Sequence, residues 1–445
     1  MWRVSYLPAA AALCENFEPY FPWSGAQTRA WHHGEEDPAV VDYIQSHFEV
    51  VEEQAFGCWR LGGRYWETEL EGEAYARSLR MGTESQEETC EGCLEAHLEA
   101  IRSHLRLLPK HLVGGLCAPP GCELKEVRRR AFPAFLAHAL RFDFQVPVPK
   151  PEELQINELS HWSQLKLDFV IAGLDSCGTN TLFRGLKQVE EVQFTMDDED
   201  DFFYKHDSLL PYKAEVEDFN FRWLRGGKAR LRGLRHPGLY YSHRVRLAMR
   251  QIPGLKLVLA LCDPLGRFEK RFWLYHLCEV NAHHPDPVIR ISGFGGRCFT
   301  STKAALEEPW LLRPIAFAAH LAQLERLFGP EEMRAVHQAH FRERFKEVFE
   351  HLAHFLGVRP TDFQAHRLNH HGGHRTDLCR NASLVVDLQR MMSAEYQTVE
   401  DLLQSHGGGF TAPQELLRRR TRCDRPEELA EEPMMVVPKG RLVAV

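Results

Sequence analysis

Nowhere in these 445 residues do about eighteen apolar residues run together, so no stretch reads as a membrane-spanning helix. An excess of positive charge is also missing: Lys and Arg number 54 against 62 Asp and Glu, a formal net charge of −8. Without a basic excess or stripe the chain is not expected to bind nucleic acid, although a local basic pocket for an anion stays open. Nor does the N-terminus read as a secretory leader. The Ala9–Ala12 patch is short, and Pro8 interrupts the stretch that leads into it.

What is present is the stock of a globular protein. Hydrophobic residues make up 44% and charged residues 26%, enough to bury a sizeable core, and the length suggests two domains at ~100–200 residues each. There are twelve cysteines. Eight are scattered, as reduced core cysteines usually are. Cys90, Cys93, Cys117 and Cys122 cluster, and their spacing leaves free thiols, disulfides and a zinc site all open.

Residues 1–150 differ in character from the rest of the chain. They are rich in Trp, Glu and Cys and are expected to be mainly helical, with helices over Cys90–Leu107 and Glu123–Leu140; Leu94, Leu98, Ile101 and Leu105 recur at helical spacing. Val146-Pro147-Val148-Pro149-Lys150-Pro151 blocks helix and reads as an extended linker. Beyond it comes an α/β pattern, taken as one domain over residues 160–407. Apolar strands are expected at Leu167–Ala172 and Leu255–Leu261. Helices are expected at Thr181–Lys187, Arg267–Leu277, Pro314–Leu327 and Phe341–Leu356, the last stopped by Gly357. Such alternation implies a doubly wound parallel sheet flanked by helices, with ligands at the carboxyl ends of its strands. Residues 408–445 read as an extended or loosely packed tail.

The most informative segment is Phe169-Val170-Ile171-Ala172-Gly173-Leu174-Asp175-Ser176-Cys177-Gly178-Thr179-Asn180-Thr181-Leu182. A buried strand enters a loop bounded by Gly173 and Gly178, spaced as in a nucleotide P-loop, and then a helix. Backbone N–H groups of such a loop turn inward, and the helix N-terminus adds partial positive charge, so a phosphate or sulfate is held there. Ser176, Cys177, Gly178, Thr179, Asn180 and Thr181 are therefore the anion-binding candidates. A triphosphate site calls for Lys after the second Gly; Thr179 stands there instead.

The pattern G-x-x-x-C-G-T-x-[ST]-L resembles the 5′-phosphosulfate loop of sulfotransferases, nearest to the Golgi heparan-sulfate and other carbohydrate enzymes. Lys256–Lys270 is similar to the family's 3′-phosphate segment, where a strand ends in Arg-Asp-Pro. Asp263, Pro264 and Arg267 fit; Cys262 replaces the first Arg and Lys270 a Ser. Arg235-His236-Pro237-Gly238-Leu239-Tyr240 resembles its Lys-Ser-Pro-x-Tyr segment. The resemblance covers roughly residues 165–407. It implies 3′-phosphoadenosine 5′-phosphosulfate as co-substrate, no metal, and a hydroxyl acceptor on a glycan or similar molecule. It also implies the Golgi lumen as the workplace, or the cytoplasm if no signal is present.

Sulfuryl transfer needs an in-line acceptor, a base and positive groups on the oxygens. By resemblance the base is Glu199, twenty residues past Thr179 and just before Phe202-Phe203; Asp198 is the nearest substitute. The same acidic run, read without the resemblance, is a solvated loop. Ser176 occupies the place of the family's loop Lys or Arg. Arg184, Lys187, Arg235 and Arg375 are the candidates to replace that charge, Arg375 in a His-rich loop where the family closes over its co-substrate. These residues leave three readings: an active sulfotransferase; a binding or scaffold protein that keeps the fold without transfer; and a P-loop kinase, which the missing Lys argues against.

Overall fold

The structure is a computed structural model. It describes residues 20–27, 38–71, 111–129, 154–174, 177–197, 199–204, 208–224, 231–268, 317–364, 382–413 and 416. Contacts divide the chain into two compact units. One comprises Met1–Lys166 and Phe203–Arg222; the other comprises Leu167–Phe202 and Trp223–Val445.

The first unit carries an antiparallel four-stranded sheet in the order β1-β3-β2-β4, formed by β1 (Tyr20–Gln27), β2 (Arg64–Glu71), β3 (His111–Ala118) and β4 (Leu154–Glu158). Helix α1 (Pro38–Arg60) packs on β2 and β3, and a Cys58–Cys117 disulfide ties its end to β3. A mainly helical region was the expectation here. The described residues hold a sheet as well, because β2 and β3 hide their strand character behind Glu and Gly. Gly115 is small so that Tyr65 fits: a Cβ there would sit 2.0 Å from the Tyr65 hydroxyl. Of the two helices expected here, residues 124–129 are helical; Cys90–Leu107 and the Val146–Pro151 linker lie outside the described residues. The disulfide also resolves Cys117, one of the clustered cysteines, and Cys122 is disulfide-bonded too; Cys90 and Cys93 lie outside.

The second unit is built on five parallel strands in the order β6-β7-β5-β8-β9. They are β5 (Phe169–Gly173), β6 (Val192–Phe194), β7 (Leu231–Arg235), β8 (Lys256–Leu261) and β9 (Met333–His337). The chain starts in the centre, winds out to β6, returns through β7, then crosses to β8 and β9. Phe169, Ile171, Val258 and Ala260 face a core shared with α2 (Thr179–Leu186) and α7 (Phe345–Leu356). The alternate residues Val170, Ala172, Leu257, Leu259 and Leu261 are equally buried. Both faces are therefore covered, as a parallel sheet requires. Between them lie α3 (Lys213–Leu224, in the first unit as far as Arg222), α4 (His243–Arg250), α5 (Ala318–Leu327), α6 (Gln338–Glu343), α8 (Ala382–Met391) and α9 (Ser393–His406). Helix α5 packs on α4 and α9, and α9 on β9.

The α/β pattern is the one expected from sequence, with two differences among the described residues; the helix expected over Arg267–Leu277 lies outside them beyond Phe268. The single helix expected over Phe341–Leu356 breaks at Arg344 (φ −134°, ψ 41°) into α6 and α7. The break lets Phe341 turn onto Gly178 while Phe345 and Phe349 pack together at 4.5 Å. Gly357 ends α7 at φ 80°, as expected. The second difference is in the tail: Phe410 joins the core and Leu416 is buried.

Candidate functional site

Strand β5 delivers the loop. Its last residue, Gly173, has φ +144°, and a Cβ there would come within 2.2 Å of the Ala260 carbonyl oxygen on β8. No other residue type allows that approach. Leu174 N–H then donates to that carbonyl at 3.0 Å, and Cys177 N–H donates to Leu174 O at 3.1 Å, closing a tight turn. Gly178 caps α2 in the left-handed region at φ +104°, beneath the Phe341 ring, which a Cβ would meet at 2.9 Å. The first-turn N–H groups of α2 point back along the helix axis toward this turn. Thr179 is buried, and Asn180 and Thr181 are half-buried beside it. This set of backbone and side-chain donors fits a tetrahedral dianion. Ser176 lies outside the described residues.

Cys177 is bonded to Cys262, the residue after β8. Both, like Cys58, belong to the scattered cysteines expected to be reduced, and the structure corrects that expectation. Next to Cys262, Asp263 caps the helical turn of residues 264–268: its Oδ1 accepts from Gly266 N at 2.6 Å, and its Oδ2 from the Tyr396 hydroxyl of α9 at 3.0 Å. Burial pushes the Asp263 carboxyl up, against those hydrogen bonds. Arg267, a sequence candidate for the ligand, is 2% exposed. Its Nη2 donates to the Tyr241 hydroxyl at 2.6 Å and its guanidinium lies 5.5 Å from the centre of the Phe317 ring. Lys270 and Arg375 lie outside the described residues.

On the other side of β5, strand β7 pairs Arg235 with Ile171. Arg235 is buried, with its guanidinium 4.9 Å from the Phe183 ring of α2. Of Arg184, Lys187 and Arg235, the three cations considered from sequence that are among the described residues, it alone combines burial with a position at the carboxyl end of a strand beside β5. Arg184 is exposed, and Lys187 pairs with Asp197.

The acidic run sorts by burial. Glu199 is exposed and Asp198 lies outside the described residues. Asp200 is 1% exposed: its N–H donates to Arg235 O at 2.9 Å and its Oδ1 accepts from Phe202 N at 2.9 Å. Asp201 Oδ1 lies 3.0 Å from His236 Nε2, and His236 N–H in turn donates to Ile171 O at 3.1 Å. An imidazole–carboxylate pair thus stands at the end of β7, one strand from the loop. Sequence reasoning missed it. The available signal was His236 in the segment already singled out, but nothing in the sequence couples it to Asp201, thirty-five residues earlier.

No family model matches the chain, and no curated protein does. Among solved structures, the chain is similar to a sulfotransferase from Alicyclobacillus acidocaldarius (16% identity, 57% of this chain and 99% of that one, TM-score 0.41). It is also similar to mouse sulfotransferase SULT7A1 complexed with PAP (12%, 62% and 87%, TM-score 0.30) and to the sulfotransferase domain of the Synechococcus PCC 7002 olefin synthase (14%, 53% and 93%, TM-score 0.29). Likenesses this distant leave the chemistry to the residues themselves. No group of three or more His, Cys, Asp or Glu is arranged to hold a metal among the described residues.

Proposed function

We infer that the second unit is a sulfotransferase that takes the sulfuryl group of 3′-phosphoadenosine 5′-phosphosulfate to a hydroxyl of a carbohydrate or similar acceptor. The observation that carries this reading is the Gly173–Thr181 loop: a P-loop at the carboxyl end of the central parallel strand, with buried Thr179 where a triphosphate site needs Lys. Thr179, Asn180, Thr181 and the first-turn amides of α2 would hold the 5′-phosphosulfate, and Arg235 would supply positive charge beside it. The co-substrate supplies the activated sulfur. The chain's part is to orient it, exclude water and accept the acceptor's proton.

Two groups compete for that proton. Glu199 is the base by resemblance. His236 is the second candidate, because Asp201 holds its Nε2 and β7 fixes its backbone; its Nδ1 is buried, whereas the exposed Glu199 can meet an acceptor hydroxyl, and Glu199 is preferred. The disulfides support synthesis in an oxidising compartment such as the Golgi lumen.

A second reading, ligand binding without transfer, draws on Arg267 and Cys262. Both are engaged inside the protein at positions where the family contacts its 3′-phosphate. Calorimetric titration with 3′-phosphoadenosine 5′-phosphate, against ATP–magnesium, tests the first. Micromolar binding of the bisphosphate, weakened by Gly178→Asp and Arg267→Ala, is the expected result. Tighter binding of ATP–magnesium overturns it in favour of a kinase. Bisphosphate binding with no sulfate transfer to any hydroxyl acceptor leaves the second reading.

A further inference from the structure

The loop is held at three points. At its start, Leu174 N–H is bonded to the Ala260 carbonyl; at its end, Gly178 lies under Phe341; between them, Cys177 is bonded to Cys262. The first two belong to the ordinary packing of a strand–loop–helix. The third is covalent, and it joins the residue before the α2 cap to the residue before the Asp263 cap. These residues come after neighbouring strands: Gly173 is the register partner of Ala260. Their Cα atoms are 5.1 Å apart, within the range that a disulfide spans without moving the backbone.

The geometry points to the Cys177–Cys262 bridge as a covalent latch that positions the α2 N-terminus for its anion, so that reducing the bridge switches anion binding off. The inference rests on the reading of the loop as a bisphosphate site. Its physical basis is that an anion site made of amides works only while those amides converge. Opening the bridge removes the covalent tie that holds those amides together and so loosens the loop.

The chemistry is a two-electron exchange with a dithiol reductant. A thiolate of the reductant attacks Cys262 Sγ, since Cys262 is 5% exposed and Cys177 is fully buried. The bond to Cys177 Sγ breaks, and that sulfur leaves as a thiolate that takes up a proton. The reductant's second sulfur then displaces Cys262 Sγ, which is protonated in turn. The reductant ends as a disulfide, and the protein carries two thiols. By linkage, a bisphosphate that favours the latched loop makes the bridge correspondingly harder to reduce.

The test uses the full chain. Wild type and Cys177→Ser/Cys262→Ser are titrated with 3′-phosphoadenosine 5′-phosphate. The double variant is expected to bind on the order of tenfold more weakly. In parallel, wild type is pulsed with dithiothreitol, alkylated and mass-analysed with and without the bisphosphate. The ligand should slow opening of Cys177–Cys262 and leave the opening rate of Cys58–Cys117 unchanged. Equal affinities together with equal opening rates overturn the latch. If the double variant fails to fold, the pulse experiment on wild type decides alone. If oxidised wild type binds no bisphosphate, the functional reading falls, and hydrogen exchange at the 177–182 amides judges the latch. Faster exchange after reduction upholds a loop clasp, and unchanged exchange overturns it.

Discussion

At the scale of single residues, two groups compete for the acceptor's proton. Glu199→Gln should lower kcat for sulfate transfer by about 10²–10⁴-fold, the usual contribution of a positioned base, while His236→Gln, whose Nδ1 is buried, should change it less than about tenfold. Both are read in the same steady-state assay, with bisphosphate affinity as the check that the site is intact. The opposite pattern gives the role to His236. Position along the chain could place a carboxylate near Phe202-Phe203, but burial chose among Glu199, Asp200 and Asp201. Asp200 turned inward to cap the turn at Phe202, and Asp201 turned to His236. Those choices depend on where β7 ends, which no local pattern states. The strand–loop–helix backbone, in contrast, was legible at its two glycines, because Gly173 and Gly178 are demanded by local backbone and close approach.

At the scale of elements, the sheet tolerates no extra volume at its crossing points. Gly233 on β7 faces Phe169 on β5, and a Cβ there would lie 2.2 Å from the Phe169 ring. Gly233→Val should destabilise the second unit by about 1–3 kcal/mol through overpacking, measured as a shift in its urea midpoint. Gly57→Ala in α1, where nothing lies within 4 Å, should instead raise stability by up to about 1 kcal/mol. β5 and β8 were readable as short apolar runs bounded by Gly or Asp-Pro. β7, Leu-Arg-Gly-Leu-Arg, was not. Its two arginines and glycine resemble a loop, and only burial of Gly233 against Phe169 and of Arg235 against Phe183 makes it a strand. The helix break at Arg344 was hidden for a similar reason: helical spacing continues through it, and the demand for a break comes from Gly178, more than 160 residues away.

At the scale of the whole molecule, buried histidines set the response to acid. Burial and the nearby Arg246 hold His243 and His320 down at about 4, and burial also lowers His340, His351 and His406. A histidine whose folded value lies below its ordinary 6.5 binds its proton more readily when unfolded. The stability it contributes is complete above about pH 6.5 and is lost as pH falls toward 4. Asp263 and Glu395, raised by burial, act in the opposite sense, but they are fewer. Denaturant midpoints of the full chain should therefore fall between pH 6.5 and 4. His243 and His320 together account for a slope of at most about 2.7 kcal/mol per pH unit, and a flat profile over that range would contradict their burial as neutral rings. On its own, the sequence determined the parallel α/β class, the strand–loop–helix that can hold an anion, and the absence of the triphosphate lysine. These are local facts of apolar runs, glycine positions and one missing side chain. Tertiary structure alone decided that Cys177 meets Cys262, that His236 meets Asp201, that Arg267 turns to Tyr241, and that the acidic run divides into exposed and buried members. Each joins residues far apart in sequence, and only the order in which the five strands lie side by side brings such residues together.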